Sequence, residues 1–255
     1  MNDVRIASPM FLDRPSGAVA AMREPGDVVI AATPGTGEQI DSVAPIHREL
    51  AETVASTLKA GNRPVAVLAD CCQAIAMMAG IERAGIKPAL VWLDCHGDFN
   101  TWETTPSGFL GGMPLAMLTG RGDQRMMQAV ELSPIADGRV VLSDGRDLDP
   151  GERLLVEASG IRFIPDVRSM DAKELPDGPL YLHFDSDIID AREAPAFIYP
   201  AAGGPTAAEM AKKLSAIMAT GRVVATSITV GWHVDKDTGG KTEAAVRLAL
   251  SGIDH

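Results

Sequence analysis

The chain has 255 residues, 46% of them apolar, and a formal net charge of −11. That is enough for a sizeable core, and it disfavours nucleic acid or an anionic membrane surface as a partner. No apolar run reaches the ~18 residues that a membrane span needs, and MNDVRIASPM lacks the basic-then-apolar order of a signal peptide. The cysteines, Cys71, Cys72 and Cys95, are odd in number and clustered, which suits reduced cytoplasmic thiols better than a disulfide framework.

Val4–Ala7 and Val28–Ala32 read as short apolar strands, with a loop or broken helix over Pro15–Gly26 and a turn-rich stretch at Thr33–Glu38. Ile40, Val43, Ile46, Leu50, Val54 and Leu58 recur at three- and four-residue spacing, which predicts a helix over Ile40–Ala60. Pro45 marks its true start, because proline suits a first turn. His47 lies beside the apolar stripe and reads as a surface or boundary histidine. Pro64–Leu68 is a continuous apolar run, as expected of a strand buried on both faces, and a helix follows from Ala74 to Ala84, closed by Gly85. Pro88–Leu93 is the next buried strand, Thr101–Gly112 a polar loop and Pro114–Leu118 a short helix. Arg139–Leu142 and Ile161–Ile164 are strands either side of a helix that opens on Asp149-Pro150-Gly151-Glu152, a capping Asp with Pro at the first position and Glu at the third. Pro179–Phe184 is a strand. Thr206 and Glu209 form a capping box for a helix to Thr220, Val223–Val230 is the last strand and Thr242–Leu250 the last helix.

This alternation of apolar strands with helices predicts a mainly parallel sheet with helices on both faces, a three-layer α/β/α domain spanning residues 1–255 without a linker. In such folds ligands bind beyond the carboxyl ends of the strands. Two strands end in acidic motifs there. LVWLDCHGDFNT (Leu90–Thr101) carries Asp94, His96 and Asp98 at alternate positions, and YLHFDSDIID (Tyr181–Asp190) carries Asp185 and Asp187. Alternate residues of a strand share a face, so the spacing brings each set to one point. Either motif alone is a weak signal, and a lone DxD is common in loops. Together they place four carboxylates and an imidazole where only cations can offset their repulsion, and an oxygen-rich set with one nitrogen suits Mn²⁺. Cys95 is expected to point to the opposite face and pack in the core. His183, on the face of Asp185, either orients a ligand from behind or is simply a buried, hydrogen-bonded histidine. His233 could reach the mouth of the site.

DCHGDFNT resembles the DAHxDxN signature of the arginase/agmatinase (ureohydrolase) superfamily, and FDSDIID its FDxDxxDP signature, with Ala191 at the proline position. GRDLDPGE (Gly145–Glu152) resembles the RDxDPGE segment, and GGMP (Gly111–Pro114) stands where the family reads HGxP. The loop DFNTWETTPSGFLGGM is most similar to that of the Nω-hydroxy-arginine hydrolases of this superfamily. The likeness runs from Val65 to Ala245. It implies one or two Mn²⁺ ions that generate a hydroxide nucleophile, with Asp94 and Asp185 bridging, His96 and Asp187 completing one ion's ligands, and Asp98 binding the other and handling the proton. His96 and Asp98 are thus the catalytic candidates. LADCCQ stands where the family reads GGDHS. Matching Asp70 to the family's Asp puts Cys71 at the histidine ligand, while Cys72 would need a one-residue slip. The alternative is that both cysteines are small buried residues opening a helix.

The substrate side departs from the pattern. Asn100 and Ser107 keep the family's residues. Gly111 replaces a histidine, Phe109 replaces an asparagine that binds the substrate carboxylate, and Thr229 in ITVGW replaces a glutamate that pairs with guanidinium. The resemblance therefore implies a hydrolase of a small molecule with a linear amidine- or guanidine-type C–N bond, N-hydroxylated arginine being one example. A neutral amide or formimino substrate, or a non-catalytic metal-binding relative, competes with that reading. The family also leads one to expect a homo-oligomer.

Overall fold

The computed structural model describes residues 2–253. Eight parallel strands form one sheet: β1 (Asp3–Ser8), β2 (Val28–Val29), β3 (Arg63–Leu68), β4 (Ala89–Asp94), β5 (Val140–Asp144), β6 (Arg162–Ile164), β7 (Leu180–Asp185) and β8 (Val223–Thr229), in the order β2-β1-β3-β8-β7-β4-β5-β6. The four central strands are buried along almost their whole length because both faces are covered. Side chains alternate between two cores. Ala66, Leu68, Leu90, Trp92 and Tyr181 face α2 (Ala44–Lys59) and α3 (Gln73–Arg83), whereas Val65, Val67, Val91, Leu93 and Leu182 face α1 (Gly17–Met22), α5 (Ala207–Met218) and α6 (Lys241–Leu250). This is the expected three-layer arrangement.

The predicted elements recur within a few residues. Pro45 sits in the first turn of α2, and the capping boxes Asp149/Glu152 and Thr206/Glu209 open α4 (Pro150–Ala158) and α5. The second strand is shorter than expected. After Ile30 N donates to Ala7 O, the Ala31 and Ala32 amides turn to the Glu49 carboxylate at 3.0 and 2.6 Å, so the chain leaves the sheet. His47 is buried rather than peripheral, and burial pushes its pKa down to about 4. A hairpin of two-residue strands, Met10–Phe11 and Arg14–Pro15, was not foreseen. It is tied over the end of β3 by Leu12 N to Asp70 Oδ2 (2.7 Å) and Gln73 Nε2 to Met10 O (2.7 Å). No helix among the described residues is long and apolar enough to cross a membrane.

Candidate metal centre

β3, β8, β7 and β4 are adjacent, and their carboxyl ends open into a cleft of about 330 Å³. Cys71, Asp94, His96, Asp98, Asn100, Ser107, Phe109, Gly111, Asp185, Asp187 and Thr229 all line it. His183 lies beneath the floor, fully buried.

The convergence arises differently from the expected alternation. β4 ends at Asp94 and β7 at Asp185; His96, Asp98 and Asp187 lie in the turns that follow. Each turn is held by its own strand-end carboxylate, Asp94 Oδ1 accepting from His96 N (2.7 Å) and Asp185 Oδ1 from Asp187 N (3.0 Å). Asp98 adopts a left-handed φ of 48°, which aspartate tolerates better than most residues. Its carbonyl accepts from Leu115 N (2.9 Å) and Ala116 N (3.2 Å) at the start of the Pro114–Leu118 helix. Its carboxylate atom Oδ2 is buried with no partner.

His96 Nδ1 stands 3.4 Å from both Asp94 Oδ1 and Asp187 Oδ2. Ligand atoms of Asp94, Cys95, His96 and Asp187 fall within 4.8 Å of one another, and so do those of Cys71, Asp94 and His183. Cys71 Sγ reaches Asp185 Oδ2 at 2.9 Å and Thr229 Oγ1 at 3.4 Å, while Cys72 Sγ turns away to Leu110 O at 3.6 Å. Cys71 lines the cleft and Cys72 does not. Cys95 is fully buried, as expected, but not pointed away from the motif. Strand alternation has already ended, and its Sγ contacts Asp187 Oδ1 (3.1 Å) and His96 Nδ1 (3.3 Å).

Burial followed by mutual repulsion holds Asp98 and Asp185 well above the usual carboxylate range. Burial also raises Asp187, although His96 opposes it. At Asp94, burial is outweighed by the hydrogen bonds and charge of His96, and the shift is downward. Burial pulls against protonation of His96, but Asp187 and Asp94 win and keep it protonated above its ordinary value. A divalent cation would do the same neutralising work as that proton. The orphaned Asp98 oxygen and the oxygen-rich donor set fit such an ion. His183 is neutral, burial pushing its pKa down to about 3.

Some cleft residues had not been singled out for the site. Glu152 ties its own GRDLDPGE segment to the first motif: Oε1 accepts from Phe99 N (2.8 Å) and Oε2 from Asp149 N (3.1 Å), and burial lifts its pKa to about 7. Asp147 and Asp149 line the same wall. Asn100 is clamped between Asp149 Oδ2 and Thr104 Oγ1, both at 2.9 Å. The signal for this wall was present in GRDLDPGE, read only as a helix start and a family mark. Phe11 and Tyr199 complete the mouth against Phe109, with ring centroids 6.1 and 5.1 Å away; nothing local in the sequence marks either. A Cβ on Gly111 would lie 2.4 Å from the Phe109 ring, so the glycine makes room for that aromatic wall. His233 does not line the cleft.

The sequence model of the Arginase family matches residues 18–252. The chain belongs to the arginase family. The family match begins well before Val65, where the motif likeness starts. This arginase-family chain is 31% identical over 254 residues to the arginase of Bacillus caldovelox, covering 94% of this chain and 82% of the relative. It is 33% identical over 150 residues to an N(omega)-hydroxy-L-arginine amidinohydrolase of Streptomyces lavendulae, covering 57% and 52%. The solved structure of the Bacillus caldovelox arginase superposes with a TM-score of 0.82 at 28% identity, over 98% of this chain and 97% of that one.

Proposed function

We propose that the protein is a divalent-metal-dependent hydrolase of a linear amidine- or guanidine-type C–N bond, working with Mn²⁺, and that it prefers a substrate whose reacting end is not fully cationic. The observation that carries the second part is Thr229. It ends β8 at the floor of the cleft beside Cys71 and offers a hydroxyl and no charge. Glu103 and Asp235, the neighbouring acidic residues of the two loops, do not line the cleft. Of the wall carboxylates, Asp149 is bonded to Asn100 and Glu152 to the Phe99 and Asp149 amides, so that among the described residues only Asp147 of that wall lacks a protein partner. A buried guanidinium without a carboxylate partner is strongly unfavourable. N-hydroxylation lowers guanidine basicity, so a hydroxyguanidine meets Thr229 at less cost than arginine does. The amidinohydrolase likeness supports the same direction.

Asp94, His96, Asp98, Asp185 and Asp187, with Cys71, would hold the ions. Bound ions would lower the pKa of a hydrolytic water and screen the carboxylates from one another. Asp98, whose carboxylate is buried with Oδ2 unpartnered, would hold an ion through one oxygen and accept the proton of that water on the other, passing it to the leaving amine. Asp149, oriented by Asn100, offers a carboxylate for an ammonium group at the far end of the substrate. Phe109 and Tyr199 narrow the mouth and exclude water.

The test is steady-state kinetics with saturating Mn²⁺ on arginine, Nω-hydroxy-arginine, and amidino, formimino and amide analogues, read as urea or ammonia release. Arginine is expected to have the lower kcat/KM, by on the order of tenfold or more for an unpaired charge. Equal efficiency on arginine would contradict the reading of Thr229. Turnover confined to formimino or amide compounds would replace the guanidine-type substrate with a neutral one on the same scaffold.

A further inference from the structure

Resting on the reading of the cleft as a metal centre, we infer that His183 is itself a metal ligand, pairing with Cys71 in a nitrogen- and sulfur-bearing site distinct from that of His96. Four observations converge on its ring. His183 is fully buried, and its Nε2 has no hydrogen-bond partner. Its other nitrogen, Nδ1, lies 2.8 Å from Ser227 Oγ, which in turn lies 2.6 Å from Tyr181 Oη. With Nδ1–H donating to Ser227, the tautomer leaves a lone pair on Nε2. A metal-binding histidine commonly shows this arrangement, its far nitrogen tied to a protein oxygen. The ring plane is clamped by Trp92, stacked with centroids 3.7 Å apart, and Trp92 Nε1 also donates to Asp94 Oδ2 at 3.2 Å. One aromatic side chain thus fixes both the imidazole and a carboxylate of the site. Finally, a ring nitrogen of His183, Cys71 Sγ and an Asp94 oxygen lie within 4.8 Å of one another, while Asp185 is bonded to Cys71 Sγ at 2.9 Å. Bonds of about 2.0–2.3 Å to one ion hold ligand atoms up to roughly 4.6 Å apart, so loading needs at most a small inward shift of the group.

A buried imidazole nitrogen with no partner is unfavourable in itself, and an ion is the partner this geometry accommodates. A thiolate and an imidazole beside two carboxylates make a mixed set of soft and hard donors, as does the His96 group with Cys95 beside it. The Cys71/His183 position therefore suits Co²⁺, Fe²⁺ or Zn²⁺ better than Mn²⁺, and loading it releases the Cys71 proton.

The probe is Co²⁺ added to chelator-treated, full-length protein, followed by absorption and by diffraction with anomalous scattering at the cobalt edge. The expected result is a cobalt peak about 2.0–2.3 Å from His183 Nε2 and Cys71 Sγ. A thiolate-to-cobalt charge-transfer band should accompany it and vanish in Cys71→Ser. His183→Ala should weaken this site by at least the roughly 10–100-fold that losing an outer partner costs, leaving the His96 site loaded. The wild-type diffraction result stands whether or not that variant folds. Cobalt bound at His96 and Asp187 with His183 Nε2 beyond about 3 Å from any ion would overturn this inference and leave the proposed function standing. Cobalt at neither group would overturn both.

Discussion

At the scale of single residues, neighbouring cysteines have different fates. Cys71 Sγ points at Asp185 and Thr229, whereas Cys72 Sγ is spent on Leu110 O at the base of α3. Cys71→Ser should therefore lower the metal bound per chain after gel filtration, while Cys72→Ser stays close to wild type. Cys71→His should raise Mn²⁺ occupancy, since imidazole suits that ion better than a thiol. Metal analysis of the three variants checks this, and a Cys72→Ser protein that loses metal while Cys71→Ser keeps it would reverse the assignment. The sequence made Cys71 readable through its match to Asp70, but not Cys95. A period of two describes a strand only, and β4 has ended before Cys95 turns toward Asp187. His183 was half legible: its face followed from its spacing to Asp185, whereas the unpartnered Nε2 depends on where Ser227 and Trp92 sit.

Among the elements, buried parallel strands and capped helices were plain because their signals are local: continuous apolar runs, Pro45, and the Asp149 and Thr206 caps. What escaped depends on contacts far along the chain. The hairpin of Met10–Phe11 and Arg14–Pro15 exists because Asp70 and Gln73 tie it down, and it carries Phe11 to the cleft. The loop Thr101–Gly112 shows the same dependence, closed by Asn100 N to Gly112 O at 3.0 Å. Within it Gly111 and Phe109 act as a pair, because any Cβ at Gly111 meets the ring at 2.4 Å. Gly111→Ala should push Phe109 off Tyr199, raising KM several-fold with kcat little changed, since the aromatic wall contributes uniform binding. Adding Phe109→Ala should remove most of the further effect of the alanine at 111, which a double-mutant cycle reads directly. Strict additivity would mean that the two residues act separately.

Taken whole, the molecule gathers buried acids at one end of its sheet and is stabilised or destabilised there by whatever balances them. Glu152 isolates one part of this in protein treated with chelator. Burial raises its folded-state pKa from 4.5 to about 7, so its contribution to stability is complete below pH 4.5 and is lost as pH rises through about 7. Buried His47 and His183, with lowered pKa values, work in the opposite direction over much of that range. The comparison must therefore be between wild type and Glu152→Gln. Glutamine loses one acceptor for Phe99 N or Asp149 N, a constant penalty, but it cannot titrate. Chemical denaturation should show wild type losing stability relative to Glu152→Gln between about pH 4.5 and 7, and a pH-independent difference would contradict the placement of Glu152. Divalent metal should reverse the trend, because it binds the deprotonated ligands: an ion at ~100 times its Kd adds about 2.7 kcal/mol to the folded state. The most direct measurement is calorimetric titration of Mn²⁺ into chelator-treated protein, with turnover assayed at each point, beside Asp98→Asn and Asp185→Asn, where asparagine keeps the left-handed backbone at position 98 tolerable. Activity is predicted to rise in proportion to bound ion in wild type, and both variants to bind less metal and lose activity while remaining folded. Full turnover without metal, or undiminished in both variants, would contradict the metal centre on which the proposed chemistry depends.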